Sequence, residues 1–337
     1  MAKTSHQNHV KTVRSVVAAE ALIPLLSEAY ALPEPIQCHL YAVGDNDTYL
    51  VEAGTERFAL RVYYPNRFWL SGVDEYRFEI DWLSFCHSRG LPVSYAIPCT
   101  DGEFLNELQA PEGLRPWALF TYAPGVVVFP MTIAQYHTYG KYIAKFHTES
   151  RDFDCIHKRF HYGAEVLIDR PIESLSDFFG EEDKGVLFLR DLAPRLRDHL
   201  NGLYATGDGY GVIGGDFHGG NHHLDSEGKM TFFDFDSCGY GFRAYDLAVL
   251  RHNSRLGDWN AEIANAVLAG YESIRPLSDE ERQSIPLFMI TRRIWRLATR
   301  VQESLFKGIS TLRDRVWEDG IRALRVWSVE AGIRGNH

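Results

Sequence analysis

The feature that most limits what this chain can fold into is a single crowded stretch. Residues 214–241 read GGDFHGGNHHLDSEGKMTFFDFDSCGYG, between two regions of ordinary amphipathic character. Glycine and short polar side chains compete with helical backbone and favour turns. The stretch therefore predicts a loop-and-hairpin insert, with DSEG marking the turn and KMTFFDF the returning strand. What remains is which chemistry needs aspartate, asparagine and histidine at this density.

Four chemistries can be set against the spacing. GDFHG and GNHH each resemble a metal-binding segment of metallophosphoesterases, but those segments lie on separate strands and here they abut. GYGVIG at 209–214 and GYGFRA at 239–244 satisfy dinucleotide-loop patterns, yet no alternating strand and helix series surrounds them to supply a parallel sheet. His218 and His222 are spaced as zinc ligands on a helix, but Gly219 and Gly220 between them oppose a helix. The fourth reading agrees in order and spacing. Asp216 followed by Asn221 gives the D-x-x-x-x-N of a kinase catalytic loop, in which the aspartate orients and deprotonates the attacking hydroxyl and the asparagine oxygen binds magnesium. Asp234, arriving after the hairpin, supplies the second metal-binding oxygen group, and such hard oxygen ligands suit magnesium. His218 is a candidate for positioning the loop or the substrate. Asp236 falls on the same side of an extended strand as Asp234 and is a further candidate.

The rest of the chain supplies two kinds of surroundings. From about Pro35 to Phe120, CHLYAV, TYLVEA and RFALRVYY alternate apolar and polar residues around turns, and LPVSYAIP, GEFLNEL and RPWALFTY continue as short strands, which predicts an antiparallel meander. One helix interrupts it, with Val73, Phe78, Trp82 and Phe85 near one face, Ser71 as a cap and Gly90 as a stop. Pro124 and Gly125 in TYAPG break regular structure where strands give way to helices. Beyond them, helices are predicted at about 132–149, 171–180, 185–204, 242–255, 259–274, 279–308 and 311–332.

The net charge of −10 argues against nucleic-acid phosphates or an anionic membrane as the main partner. The five cysteines include no C-x-x-C pair, and no segment reads as a signal peptide or a membrane span, so a reducing cytoplasmic setting is expected.

Taken together, IGGDFHGGNHHLDSEGKMTFFDFDSCGYGFRAYDLA resembles the signature of the aminoglycoside phosphotransferase and choline kinase superfamily, with its catalytic loop, its Asp-Phe-Asp strand end and its Tyr-Asp-Leu-Ala helix start. Upstream, FALRVYYP and FEIDWLSFCHSRGLPV resemble the family's nucleotide-lobe strand and glutamate-bearing helix, and WALFTYAPG, with Phe120 and Tyr122, resembles the linker bordering the adenine pocket.

The resemblance implies an α+β, bilobal, protein-kinase-like fold. An N-terminal antiparallel sheet plus helix would occupy 1–121, a hinge 122–126, and a mainly helical catalytic and substrate lobe 127–337. It implies Asp216 as catalytic base, Asn221 and Asp234 as magnesium ligands, and Asp246 as a buried brace of the catalytic loop. Arg61 falls where kinases place the phosphate-binding lysine, with Glu79 as its ion-pair partner and Gly44 and Asn46 on the nucleotide side. Asp45 and Asp47 in the same loop would repel phosphates unless they turn outward. Gly214 stands where the family usually has a loop-bracing histidine.

The expected function is ATP- and Mg2+-dependent transfer of a γ-phosphoryl group to a hydroxyl of a small molecule such as an aminoglycoside, homoserine or a choline-like acceptor. A stress-related Ser/Thr protein kinase of the same fold and a non-catalytic nucleotide-binding protein are the alternatives. Trp295 with Arg292, Arg293, Arg296 and Arg300 could favour an anionic or amino-acid acceptor, or could line an ordinary amphipathic helix; Asp236 could instead favour an amine.

Overall fold

The computed structural model describes residues 11–65, 67–204, 209–255, 261–312 and 315–333. By packing they form two compact units, the first holding residues up to 65 and 97–120, the second holding residues 67–96 and those from 121 onward. The fold is α+β, with an antiparallel sheet in the first unit and mainly helices in the second, as expected.

In the first unit, α1 (Ala19–Ala29) precedes β1 (Ile36–Val43), β2 (Asp47–Ala53) and β3 (Glu56–Val62), and the chain returns for β4 (Asn106–Ala110) and β5 (Gly113–Thr121). The strand order is β1-β2-β3-β5-β4, with antiparallel ladders joining β1 to β2, β2 to β3 and β4 to β5. Tyr49, Val51 and Ala53 alternate inward along β2 and share a core with Leu60, Val62, Trp117 and Leu119. Leu22 and Leu26 of α1, one turn apart and fully buried, join that core. Each such leucine contributes about 1.5–3 kcal/mol, which carries α1 through the interior Pro24 that reads as a breaker in the sequence.

The loop before β2 is neutralised from within. Asp47 does not turn outward: it is fully buried between Arg14, whose Nη2 lies 2.5 Å from Oδ1, and Arg115, whose Nη2 lies 2.8 Å from Oδ2. Arg115, also fully buried, gives its remaining N–H groups to the carbonyls of Tyr63 at 2.9 Å, Val62 at 3.1 Å and Ser15 at 2.8 Å.

The second unit contains α2 (Asp74–Ser88), α3 (Ile133–Glu149), α4 (Arg170–Phe179) and α5 (Lys184–Tyr204), then β6 (Tyr210–Ile213), β7 (His222–Leu224), β8 (Met230–Phe232) and β9 (Gly239–Phe242), and finally α6 (Arg243–Arg255), α7 (Ala261–Glu272), α8 (Asp279–Lys307) and α9 (Val316–Glu330). Antiparallel pairs join β6 to β9 and β7 to β8. The expected helices are found. Residues 259–260 and 313–314, within or at the edges of two of them, lie outside the described residues.

Helix α2 packs with this second unit although it interrupts the sheet in sequence. Its apolar face explains why: Phe78 meets Phe153 and Tyr240 at 5.5 and 5.3 Å, and Trp82 meets Phe235 at 5.2 Å while its indole N–H donates to Ser150 Oγ at 2.8 Å. Ser71 does not cap α2 at its N-cap position; its hydroxyl donates to Glu75 at 2.6 Å instead. LPVSYAIP is not a strand of the sheet. Ser94 N–H donates to Phe232 O and Phe232 N–H to Pro92 O, so Val93 makes one parallel bridge beside β8.

The TYAPG segment is tied to β7. Val126 and Leu224 exchange N–H to O=C bonds of 3.1 and 2.9 Å, and His223 Nδ1 donates to Ala123 O at 2.7 Å. Gly125 is required here, because its φ is +92° and a Cβ would stand 2.0 Å from Leu224 O.

Replacing Asp47 by alanine removes the closest carboxylate from the buried Arg14 and Arg115 guanidinium groups and leaves Arg115 only Glu112 at 3.7 Å, so urea unfolding should show a loss of about 3–5 kcal/mol. Arg57→Ala removes only an exposed pair with Glu52 and should cost under about 1 kcal/mol. Equal losses in the two variants would contradict the buried-pair reading.

Candidate active site

Each of the two key aspartates is followed by a phenylalanine, and these two rings set the site. Phe217 and Phe235 lie 5.7 Å apart and both pack on Phe146 of α3 at 5.5 Å. Phe232 of β8 and Trp82 of α2 complete the cluster. Burying both rings in one core fixes the two loops beside one another, and Phe-to-Ala changes at such positions cost roughly 3–5 kcal/mol.

Polar contacts set the rest. Asp246, fully buried in the first turn of α6, accepts the Gly214 and Gly215 N–H groups at 2.9 and 2.8 Å. Its Oδ2 also pairs with His147 Nε2 at 2.8 Å. Burial outweighs the attraction of Asp246 and holds the His147 pKa below its ordinary value. The neutral ring therefore donates from Nε2, and Nδ1 accepts from the Tyr271 hydroxyl at 2.8 Å. Gly215 has φ +77°, and a Cβ there would stand 2.2 Å from both Ser237 O and the Tyr162 hydroxyl. At Gly214 a Cβ would come within 2.5 Å of the Phe217 ring. A histidine at 214 would require the Phe217 ring to move, and Asp246 braces the loop through its backbone N–H groups.

Asp216 leaves this braced turn half-buried. Its Oδ1 accepts from Arg292 Nη2 of α8, and its Oδ2 lies 3.8 Å from His218 Nε2. His218 Nδ1 accepts from the Gly220 N–H at 3.0 Å, which leaves Nε2 as the ring N–H on the side of Asp216. Burial alone would raise the Asp216 pKa, but Arg292, His218 and Arg296 together bring it below the ordinary aspartate value. The carboxyl is ionised at neutral pH.

Asn221 is joined to both sides. Its side-chain NH2 donates to Asp216 O at 3.1 Å, and its backbone carbonyl accepts from Phe233 N–H at 3.1 Å, one residue before Asp234. Asp234 itself has φ +64°, uncommon for a residue with a side chain and a form of strain that clusters at functional sites. Hydrogen bonds thus link Asp216 to Asn221 and Asn221 to the residue beside Asp234.

With its NH2 engaged, Asn221 keeps Oδ1 as an acceptor, and Asp234 supplies a carboxylate. This donor set suits a hard cation that takes the rest of its shell from phosphate and water. Among the described residues no group of three or more His, Cys, Asp or Glu is arranged to hold a metal unaided. Asp236 is committed elsewhere: it pairs with Arg67 at 3.3 Å, both side chains being buried.

The nucleotide-side residues are divided between the units. In the first, Arg61 lies over the Phe120 and Tyr63 rings at 5.4 and 5.7 Å. Gly44 and Asn46 share the β1–β2 turn, where Gly44 N–H donates to Asn46 O at 3.0 Å and Asn46 Oδ1 accepts from Tyr64 N–H at 3.1 Å. Asn46 is buried, so this side-chain oxygen serves the sheet. In the second unit, Glu79 is fully buried on α2 and Tyr122 follows β5. Neither the Asp216–Arg292 pair nor the His147–Asp246 pair was legible in the sequence, because their partners stand 76 and 99 residues apart.

A profile described as the phosphotransferase enzyme family matches residues 42–279. An uncharacterized protein of Synechocystis sp. is 31% identical over 89% of this chain and 83% of its own. A homoserine kinase of Xanthobacter autotrophicus is 28% identical over 72% of each chain. Among solved structures, a microcompartment-associated aminopropanol kinase superposes with a TM-score of 0.75 at 24% identity, covering 94% of this chain and 99% of its own.

His222, next to Asn221, gives a pH prediction. It is fully buried between Tyr139 and Phe232, and burial pushes its pKa down to about 4 from 6.5. Because the folded-state pKa lies below the unfolded one, the stability linked to the neutral ring is complete above pH 6.5 and is lost as pH falls toward 4. Unfolding free energies measured over that window should fall by roughly 3 kcal/mol more in the parent protein than in His222→Phe; parallel curves would contradict the assignment.

Proposed function

The chain belongs to the phosphotransferase enzyme family, and on that premise we propose that it is an ATP- and magnesium-dependent kinase that moves a γ-phosphoryl group to a hydroxyl of a small molecule. The observation that carries this reading is the hydrogen-bonded link from Asp216 through Asn221 to the backbone beside Asp234. It supports one base and two hard oxygen ligands acting at a single point.

Phosphoryl transfer asks a protein mainly for positioning and charge neutralisation. Asp216 orients the acceptor hydroxyl and takes its proton on Oδ2, since Oδ1 is held by Arg292. His218 Nε2 lies 3.8 Å from that same oxygen, too far for a hydrogen bond, and acts on it through charge. Asn221 Oδ1 and the Asp234 carboxylate would hold the magnesium ion, which, when bound, neutralises phosphate charge. By the family resemblance, Arg61 would be the phosphate-binding cation and Glu79 its ion-pair partner. Phe120 and Tyr122 are assigned to the adenine side, and the turn of Gly44 and Asn46 to the phosphate side.

The relatives named as homoserine and aminopropanol kinases support a small amino alcohol or hydroxy amino acid as acceptor. No helix among the described residues is long and apolar enough to cross a membrane, and the five cysteines are free thiols. The free thiols support a reducing compartment such as the cytoplasm.

Asp216→Asn should keep nucleotide affinity while losing transfer by about 10²–10⁴-fold. Asp234→Ala should in addition abolish the magnesium dependence of nucleotide binding, followed by calorimetric titration. Full transfer by Asp216→Asn would remove the base from the mechanism.

A further inference from the structure

The loop that carries Asp234 is held by one short segment, residues 159–162. Arg159 is buried and commits its guanidinium to backbone carbonyls: Nη2 donates to Asp236 O, Nε to Cys238 O, and Nη1 to Glu75 O of α2 at 2.5 Å. The carbonyl between the first two is also taken, because Ser237 O accepts from the Tyr162 hydroxyl at 2.5 Å. Successive carbonyls from Asp236 to Cys238 thus draw their donors from two side chains of one segment. That segment is itself fixed beside β9, where Tyr162 N–H donates to Tyr240 O at 2.7 Å and Tyr240 N–H to Phe160 O at 3.2 Å.

Buried carbonyls need donors in any fold, but this loop makes a further demand. The positive φ of Asp234 is a conformation that costs about 1–3 kcal/mol and persists only where its surroundings over-determine it. On the upstream side, Phe233 N–H is tied to Asn221 O. On the downstream side, the ties are those of Arg159 and Tyr162. The Tyr162 hydroxyl also stands 2.2 Å from where a Cβ on Gly215 would be, so it borders both the loop of Asp234 and the turn before Asp216.

The planar fork of an arginine is what this arrangement uses. Its guanidinium lies 4.7 Å from the Phe160 ring centroid and 5.9 Å from that of Phe78 of α2, and the buried Glu79 and Glu75 of α2 act on its charge. A lysine keeps the charge but not the separate, fixed donor directions.

We propose that Arg159 and Tyr162 are positioning residues for the metal ligand Asp234: by holding the carbonyls of residues 236–238, and by joining them to α2 through Glu75 O, they preset the Asp234 carboxylate for a divalent cation. This inference rests on the kinase reading and deepens it, adding two residues that act on the cation through the loop.

The test is calorimetric titration of a non-hydrolysable ATP analogue into the parent, Arg159→Lys and Tyr162→Phe proteins, each in saturating Mg2+ and in EDTA. The parent should bind more tightly with Mg2+. Arg159→Lys should cut that gain roughly tenfold, as expected when the support of a metal ligand is lost. Tyr162→Phe, which loses one hydroxyl and keeps the ring, should cut it roughly threefold. Affinity in EDTA should match the parent in both variants. A residue that only stabilises the fold would lower Tm and leave the magnesium gain where it was. An unchanged gain in Arg159→Lys, measured well below its Tm, therefore overturns this inference and leaves the kinase reading intact; if that variant does not fold, an unchanged gain in Tyr162→Phe does the same. A parent protein without any magnesium gain overturns both.

Discussion

The carboxylate of Asp246 is the point on which the site depends. A fully buried carboxylate survives only with its lone pairs answered, and this one is answered by the N–H groups of Gly214 and Gly215 and by His147. Those bonds set the turn from which Asp216 emerges. They also account for Gly214, where the resemblance leads one to expect a histidine. The Phe217 ring stands 2.5 Å from where the Cβ of such a side chain would be, and the brace comes from Asp246 of α6.

Around that anchor, apolar packing and polar positioning are coupled residue by residue. Phe217 and Phe235 enter one aromatic core, so the loops bearing Asp216 and Asp234 cannot shift independently without opening a cavity. Strain is held at Asp234, whose φ is positive, whereas Gly215 takes its positive φ without a Cβ penalty. Arg159 stabilises the second loop from behind, donating to the carbonyls of Asp236 and Cys238.

Much of this is local and therefore legible in the sequence. The spacing from Asp216 to Asn221 and the hairpin leading to Asp234 are set by neighbouring residues, and the helical periodicity survives into the structure almost segment by segment. What escapes is decided by distant partners. Asp47 reads as an exposed turn acid until Arg14 and Arg115 enclose it. Helix α2 reads as part of the sheet unit until Phe78 and Trp82 find Phe153, Tyr240 and Phe235. Arg292 reads as one cation on an amphipathic helix, and nothing in its own neighbourhood announces Asp216.

The central claim is that Asn221 and Asp234 hold one divalent cation beside Asp216. Anomalous diffraction from crystals grown with Mn2+ and a non-hydrolysable ATP analogue tests it most directly. A manganese peak bonded to Asn221 Oδ1, to the Asp234 carboxylate and to nucleotide phosphate oxygens is the expected result. A peak on other side chains, with Asn221 and Asp234 turned away from it, would contradict the account.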